Sequence, residues 1–92
     1  MTIKQYETDA IVPPGDILNE ELDARGISPR AFAQMVQVPA AYLLGVLRGE
    51  RPLTPEFALR LERVLGTPAI TWVNVEGEYR LALARLKERK TA

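Results

Sequence analysis

The chain has 92 residues, of which 47% are hydrophobic and 26% charged, and its formal net charge at neutral pH is zero. This length predicts one domain with its own core, and no apolar stretch approaches the roughly 20 residues that a membrane-spanning helix needs. Histidine and cysteine are absent, which excludes the common zinc sites and the histidine-dependent catalytic triads. We therefore expect no enzyme activity, metal or cofactor.

The absence of cysteine, together with an N-terminus that lacks a long apolar segment, favours a cytoplasmic protein. The six glycines are scattered singly along the chain, so they form no phosphate-binding loop. We expect them at helix ends or turns, where their use is the left-handed backbone conformation.

The two charge signs are unevenly distributed. Residues 1–24 contain one basic and six acidic residues, a net charge of −5, whereas residues 25–92 contain eleven basic and six acidic residues, a net charge of +5. The longer part therefore has a positive field that favours nucleic acid. The acidic residues can equally form no more than the solvated face of a first helix.

Residues 1–14 are predicted to form an N-terminal arm, because hydrophobic and charged residues alternate weakly before two prolines and a glycine interrupt the chain. Residues 15–92 form the predicted folded domain. Its first helix is expected over about residues 15–25, with Asp16 in the first turn and Gly26 just past the end.

Two short helices are predicted between Ser28 and Gly49, separated by a tight turn. Ser28 followed by Pro29 is typical of a helix start. Each helix has an apolar stripe at helical spacing: Phe32, Ala33 and Val36 in the first, and Leu43, Val46 and Leu47 in the second. A small residue such as Ala33 lets the second helix cross the first closely, so the pattern predicts a helix-turn-helix.

A fourth helix is predicted to begin at Thr54 and Pro55 and to end at Gly66. Its apolar stripe faces inward, and we expect its charged residues to face solvent. These residues are Arg60, Glu62 and Arg63.

The last helix is predicted from about Pro68 to Lys90, with Gly77 in its middle. Its apolar stripe consists of Trp72, Val75, Tyr79, Leu83 and Leu86. Because this stripe is longer than a four-helix body can cover, we infer that its far end packs against a second copy of the chain. The expected dimerisation residues are Tyr79, Leu83 and Leu86; the alternative is a frayed tail that exposes a few leucines.

Further motifs occur in fixed order over nearly the whole chain. They are Pro14-Gly15-Asp16-Ile17-Leu18, Arg51-Pro52-Leu53-Thr54-Pro55-Glu56 with Ala58-Leu59-Arg60-Leu61, and Gly66-Thr67-Pro68 with Trp72 and Tyr79. Together they resemble the HigA-type antitoxins of the Xre/Cro helix-turn-helix family. The end of the chain is also similar to the regulatory module associated with ImmA-type metallopeptidases, whose metal motif requires histidines that this chain lacks.

The resemblance implies an all-α, five-helix, lambda-repressor-like helix-turn-helix domain with an N-terminal arm and a long C-terminal helix. It also implies a homodimer that binds operator DNA, represses its own operon and neutralises a HigB-like RNA-cleaving toxin. No membrane partner is implied.

The resemblance also assigns DNA-binding positions. The base-contacting positions fall on Pro39, Ala40, Ala41, Tyr42 and Gly45, and phosphate contacts are expected near Pro29, Arg30, Arg48 and Arg51. Relatives have Ser, Thr, Gln or Arg on this helix, whereas alanine and glycine have no hydrogen-bonding side chain. The turn position that is normally glycine is Gln37.

Two contributions to base recognition remain on that helix. Tyr42 can hydrogen-bond a base edge, or its ring can instead pack on the first two helices. Ala40, Ala41 and Leu44 can contact thymine methyl groups, which allows weak recognition by apolar contact and DNA shape.

The leading hypothesis is a dimeric transcriptional repressor of the antitoxin type with modest sequence discrimination. A rival hypothesis is a helix-turn-helix protein-interaction module that has lost sequence-specific DNA binding and uses Ala40, Ala41 and Leu44 to bind a partner. A regulator paired with a separate peptidase is a further alternative.

Overall fold

The computed structural model describes residues 11–91, with side chains through residue 90. Within that range the chain forms five α-helices: α1 (Pro14–Arg25), α2 (Pro29–Met35), α3 (Ala40–Leu47), α4 (Pro55–Leu65) and α5 (Ala69–Thr91). The predicted all-α, five-helix fold is confirmed. Most of the predicted N-terminal arm, residues 1–10, lies outside the described residues, and α1 begins one residue earlier than expected.

The starts of α2 and α4 are capped by hydroxyl side chains. Ser28 Oγ accepts a hydrogen bond from the Ala31 backbone N–H at 3.2 Å, and Thr54 Oγ1 accepts one from the Phe57 N–H at 3.2 Å. Each cap is followed by a proline at the first helical position, where the missing N–H has no intrahelical partner to lose. These local interactions explain why both helices begin where the sequence predicts.

The ends of α1 and α4 are set by glycines in the left-handed conformation. Gly26 has a φ of 67° and Gly66 a φ of 89°. Residues with a Cβ adopt this conformation rarely, so the chain leaves the helix at the glycine. Both predicted helix ends are confirmed.

One apolar core holds the five helices together. α3 packs against α1 and α2, and α5 packs against α4 and α1. The buried core residues are Leu18, Leu22, Phe32, Ala33, Val36, Leu43, Val46, Leu47, Leu53, Phe57, Ala58, Leu61, Leu65 and Trp72. From the long stripe of α5 the core receives Trp72, whereas Val75, Tyr79, Leu83 and Leu86 are half-buried.

Gly15 allows the start of α1 to contact the backbone of α3. A Cβ atom built on Gly15 would lie 2.2 Å from the Val46 carbonyl oxygen and 2.8 Å from Leu47 Cα. Both neighbouring atoms belong to the backbone, so α3 itself would have to shift to make room. The expectation that every glycine serves left-handed geometry is therefore wrong for Gly15, which is needed for a close approach between helices.

Two arginine side chains donate to carbonyl groups at the ends of other helices. Arg25 Nη2 donates to the Leu65 carbonyl at 3.1 Å, which ties the end of α1 to the end of α4. Arg60 Nη1 donates to the Val36 carbonyl at 3.1 Å, just past the end of α2. The prediction that Arg60 faces solvent is wrong, because its long side chain satisfies a carbonyl that has no partner within its own helix.

The longest helix, α5, has 23 residues and is roughly 34 Å long. A Cβ built on Gly77 would meet no atom within 4 Å, so that glycine permits no close contact and simply occupies an open position in the helix. One turn apart on α5, Arg80 Nε donates to Glu76 Oε2 at 2.6 Å. Across residues 11–91, no helix combines the length and apolar character that crossing a membrane requires.

Candidate nucleic-acid interface

The candidate interface consists of α2 and α3, which pack together and are joined by residues 36–39. The Val38 N–H donates to the Ala33 carbonyl at 3.0 Å and closes the turn against α2. Ala33 is buried between the helices, as expected for the small residue at their crossing. Gln37 has a φ of 58°, so a side chain occupies the left-handed position that favours glycine.

The helix α3 has one buried and one exposed face. Leu43, Val46 and Leu47 belong to the core. Ala40, Ala41 and Leu44 are exposed on the opposite face and are called the α3 patch below. Across Ala40–Leu47 the only polar side-chain atom is the hydroxyl oxygen of Tyr42.

The predicted DNA-contacting residues differ in their exposure. Pro39, Ala40 and Ala41 are exposed at the start of α3. Arg30 is exposed in the first turn of α2, and Arg48 is exposed directly after α3. These five residues are available to a partner.

The Tyr42 side chain is engaged within the chain. Its hydroxyl donates to the Pro52 carbonyl at 2.9 Å and accepts a hydrogen bond from the Thr54 N–H at 3.4 Å. Its ring meets the Phe57 ring edge to face, with centroids 5.3 Å apart and an interplanar angle of 85°. Tyr42 therefore holds the loop after α3 against α4. The sequence leaves open a base contact or packing on the first two helices, and neither alternative includes this loop.

Gly45 is buried beneath the side chain of Arg51. A Cβ built on Gly45 would lie 2.6 Å from Arg51 Cγ and 3.0 Å from Arg51 Cδ. The Gly45 carbonyl also accepts hydrogen bonds from the Glu50 N–H at 2.8 Å and the Arg51 N–H at 3.1 Å. Because Gly45 has no side chain, Arg51 can lie across α3, and Arg51 rather than Gly45 forms the surface there.

The predicted dimerisation residues Tyr79, Leu83 and Leu86 are all half-buried on α5. The Tyr79 hydroxyl oxygen would lie 3.5 Å from a Cβ built on Gly49, so Tyr79 contacts the chain just after α3. The guanidinium carbon of Arg80 lies 5.0 Å from the centroid of the Tyr79 ring. Tyr79 thus joins α5 to the helix-turn-helix, whereas Leu83 and Leu86 lie farther along the helix.

Two residues that position this interface were missed by sequence reasoning. Gly15 sets how closely α1 approaches α3, and Arg60 holds the end of α2. A proline and a glycine before a helix are visible in the sequence, but no local pattern identifies the backbone that Gly15 contacts. Likewise, the charged neighbours of Arg60 in the sequence predict that its side chain faces solvent. Its carbonyl partner, Val36, is distant in sequence and comes near only in the folded chain.

Five helices, with a short turn joining two that cross closely, define a helix-turn-helix protein. The chain belongs to the helix-turn-helix family, whose family model matches residues 18–72. This range runs from the middle of α1 into the start of α5 and includes the whole candidate interface.

Relatives and solved structures show which members of this family the chain resembles. The uncharacterized HTH-type transcriptional regulator YddM of Escherichia coli (strain K12) is 37% identical over 71 residues, which cover 77% of this chain and 76% of YddM. The structure of the Pseudomonas aeruginosa antitoxin HigA with the higBA promoter is 35% identical with a TM-score of 0.84, covering 89% of this chain and 90% of that chain.

An addiction module antidote protein of a HigA family from Coxiella burnetii is 32% identical with a TM-score of 0.81, covering 87% of this chain and 88% of that chain. The predicted resemblance to HigA-type antitoxins is therefore confirmed. These relatives are named as a transcriptional regulator and as antitoxins, which are not enzymes.

Proposed function

We propose that this protein is a dimeric DNA-binding repressor of the HigA antitoxin type, which binds the operator of its own operon and neutralises a HigB-like RNA-cleaving toxin. One observation carries the DNA-binding part. The exposed face of α3 lies among exposed arginines, on a fold that matches the Pseudomonas aeruginosa HigA solved with the higBA promoter.

Exposed arginines supply the sequence-independent part of binding. Arg30, Arg48 and Arg51 are exposed, and they lie before, just after and across α3 in the fold. An arginine that contacts a phosphate releases a condensed counterion. The logarithm of the binding constant therefore falls linearly with the logarithm of the salt concentration, with a slope of about 0.9 for each contact. Such contacts fix the protein on the duplex and leave sequence selection to α3.

The acidic residues of the N-terminal part lie on a different helix. α1 exposes Asp16, Glu20 and Asp23. Phosphates repel these carboxylates and attract the arginines around α3, which favours an orientation with α3 toward the DNA. A chain of zero net charge can therefore still attract DNA through the arginines around α3.

The operator hypothesis is tested by titrating the protein against the DNA upstream of its own coding region and against a scrambled duplex of equal length, at several salt concentrations. We expect tighter binding to the upstream DNA at every salt concentration. Equal binding to both duplexes contradicts the operator hypothesis. If affinity then still falls steeply with salt, phosphate contacts account for all of the binding.

The dimer is proposed to form through the second half of α5. Leu83 and Leu86 lie three residues apart on one face of α5 and are half-buried in a single chain, so a second copy can bury further apolar area there. A twofold dimer also presents two copies of α3 to two half-sites. We therefore place the dimer contact on this half of the helix.

Sedimentation of two leucine variants tests the interface. Leu83→Glu or Leu86→Glu is expected to give a monomer, because a carboxylate would be buried against apolar groups. Leu59→Glu is the control, because Leu59 is an exposed leucine (50%) that lies on α4 and outside the proposed contact. A dimer that survives both α5 changes would locate the interface elsewhere.

Toxin neutralisation is supported by the match to HigA antitoxins. The test uses the product of the neighbouring gene, where we expect a small basic protein that cleaves RNA. Adding the full chain in equal amount is expected to stop that cleavage. Unchanged cleavage would contradict neutralisation and leave the DNA-binding part of the hypothesis standing.

A second candidate function is favoured by the α3 patch, which is apolar and exposed. In this alternative the patch binds a protein and the domain has lost sequence-specific DNA binding. The titration above separates the two, because this alternative requires no preference for the upstream DNA.

A further inference from the structure

We propose that the α3 patch recognises the C5-methyl groups of pyrimidines in the major groove. The affinity for the operator would then depend on thymine methyl groups at defined positions of each half-site, and 5-methylcytosine would bind better than cytosine there. This inference rests on the DNA-binding function proposed above and specifies which chemical groups α3 selects.

The exposed side chains that belong to α3 itself offer only apolar groups to the bases. Leu44 lies four residues after Ala40 and three after Ala41, so it shares a helix face with each of them, and all three are exposed. Their side chains end in methyl groups. Base edges in the major groove are distinguished by donors, acceptors and the thymine methyl, and an apolar side chain can complement only the methyl.

The one polar side-chain atom of α3 is already used inside the fold. The Tyr42 hydroxyl donates to the Pro52 carbonyl at 2.9 Å and accepts from the Thr54 N–H at 3.4 Å. Turning this hydroxyl toward a base would break its hydrogen bond to the loop and its ring contact with Phe57. The apolar α3 patch is therefore left to carry recognition on this helix.

Charge around the α3 patch indicates nucleic acid as its occupant. Arg48 lies one helical turn after Leu44, and the stem of Arg51 lies on Gly45, the residue next to Leu44. An apolar surface bordered by arginines complements a partner that presents apolar groups between anionic ones. The major groove does this, because thymine methyl groups lie between two rows of phosphates.

The expected effect follows from the size of the group. Burying one methyl-sized group changes affinity by about fourfold. Uracil differs from thymine by this methyl alone and keeps the same base-pairing groups. Replacing thymine by uracil therefore tests the methyl contact while leaving the hydrogen-bond pattern of the major groove unchanged.

The experiment uses the full chain and the DNA upstream of its own coding region. After footprinting locates the half-sites, each thymine within them is replaced singly by uracil and the Kd is measured by fluorescence anisotropy at fixed salt. We expect a loss of about fourfold at one or more positions in each half-site and little change outside them. At such a position, a 5-methylcytosine–guanine pair should bind about fourfold tighter than a cytosine–guanine pair.

Two protein variants link the effect to the α3 patch. Leu44→Ala removes part of the exposed apolar surface and is expected to reduce the difference between thymine and uracil at the position that Leu44 contacts. Arg48→Ala is the matched control, which should weaken binding to thymine and uracil duplexes equally. Leu44 is 37% exposed, so its truncation leaves the core in place, and the uracil measurement requires no variant at all.

The outcomes separate this inference from the function on which it rests. Equal affinity for thymine and uracil duplexes, with the upstream DNA still preferred over scrambled DNA, overturns methyl recognition and leaves the operator function intact. Equal affinity for upstream and scrambled DNA overturns both. If Leu44→Ala leaves all DNA binding unchanged but abolishes binding of a protein partner, the α3 patch is a protein-interaction surface and the inference is wrong.

Discussion

The two faces of α3 have the same chemical character but opposite structural constraints. On the inner face Leu43, Val46 and Leu47 are buried, and backbone atoms of α3 touch Gly15 so closely that a single added carbon would overlap them. On the outer face the α3 patch is just as apolar but is exposed. The inner face fixes the position of the helix, and the outer face presents a surface on which side chains can change without disturbing the core.

Under the proposed function, this difference explains how an apolar helix can also bind a partner. Since the hydrophobic effect is proportional to the area removed from water, the inner face stabilises the domain, whereas the outer face contributes only when a partner covers it. Each face of α3, and the residues at the boundary between the faces, can be tested by its own substitution.

Adding one carbon to the inner contact should have the largest effect. Gly15→Ala would place Cβ 2.2 Å from the Val46 carbonyl oxygen, so α1 and α3 must separate. We expect a loss of about 3 kcal/mol in the free energy of unfolding, measured by thermal or denaturant unfolding. For a domain of this size, that corresponds to a fall in Tm of roughly 12–24 °C.

The same substitution on α5 is the matched control. A Cβ on Gly77 meets no atom within 4 Å, and Gly77 lies in the interior of α5. Gly77→Ala should raise the free energy of unfolding by about 0.5–1 kcal/mol, because alanine has the higher helix propensity. If Gly15→Ala proved as harmless as Gly77→Ala, the close contact between α1 and α3 would be refuted.

Removing charge next to the outer face should affect DNA binding and leave stability nearly unchanged. The double variant Arg48→Ala and Arg51→Ala should weaken binding to all DNA sequences by roughly tenfold or more, about 1.4 kcal/mol. It should also reduce the slope of log affinity against log salt concentration by about 0.9 for each lost phosphate contact. Arg63→Ala, an exposed arginine on α4, is the control. Unchanged affinity in the double variant would remove these two arginines from the interface.

The boundary between the faces is tested at Tyr42. Tyr42→Phe keeps the ring contact with Phe57 but deletes the hydrogen bond to the Pro52 carbonyl and the one from the Thr54 N–H. We expect a loss of about 1 kcal/mol in the free energy of unfolding and no change in the ratio of operator to scrambled binding. If that ratio fell while stability stayed constant, the Tyr42 hydroxyl would be a base contact after all.

The smallest effect is expected at the turn that leads into α3. Gln37 has a φ of 58°, so Gln37→Gly relieves backbone strain but gives the unfolded chain more freedom. The net result should be a gain of about 0.5 kcal/mol in the free energy of unfolding. Gln34→Gly, inside α2 and equally exposed, should instead lose about 1 kcal/mol; a loss at both positions would contradict strain at Gln37.

The helix boundaries were predictable because their causes are local. Ser28 and Thr54 accept hydrogen bonds from residues three positions ahead, and Gly26 and Gly66 end helices through their own φ angles. Such interactions depend only on a few consecutive residues. The positions of α1, α2 and α4 could therefore be given to within about one residue.

The candidate site was predictable only in outline. Arg30 and Arg48, which the resemblance to HigA-type antitoxins assigns to phosphate contacts, are exposed, and their contact with DNA stays a prediction. The resemblance did not reveal that the Tyr42 hydroxyl bonds to Pro52 or that Arg51 lies on Gly45. Both contacts depend on the path of the loop after α3, which local pattern does not specify.

By itself, the amino-acid sequence determined the class of fold, the helix starts and stops, the absence of histidine and cysteine chemistry, and the apolar character of α3. Tertiary structure decided which glycines allow a close approach and which carbonyl accepts the hydrogen bond of Arg60. It also decided which residues of α3 are exposed to a partner. The physical reason is the distance along the sequence over which each interaction acts. Caps, turns and periodicity act over a few residues, whereas packing and long-range hydrogen bonds join residues that only the folded chain brings together.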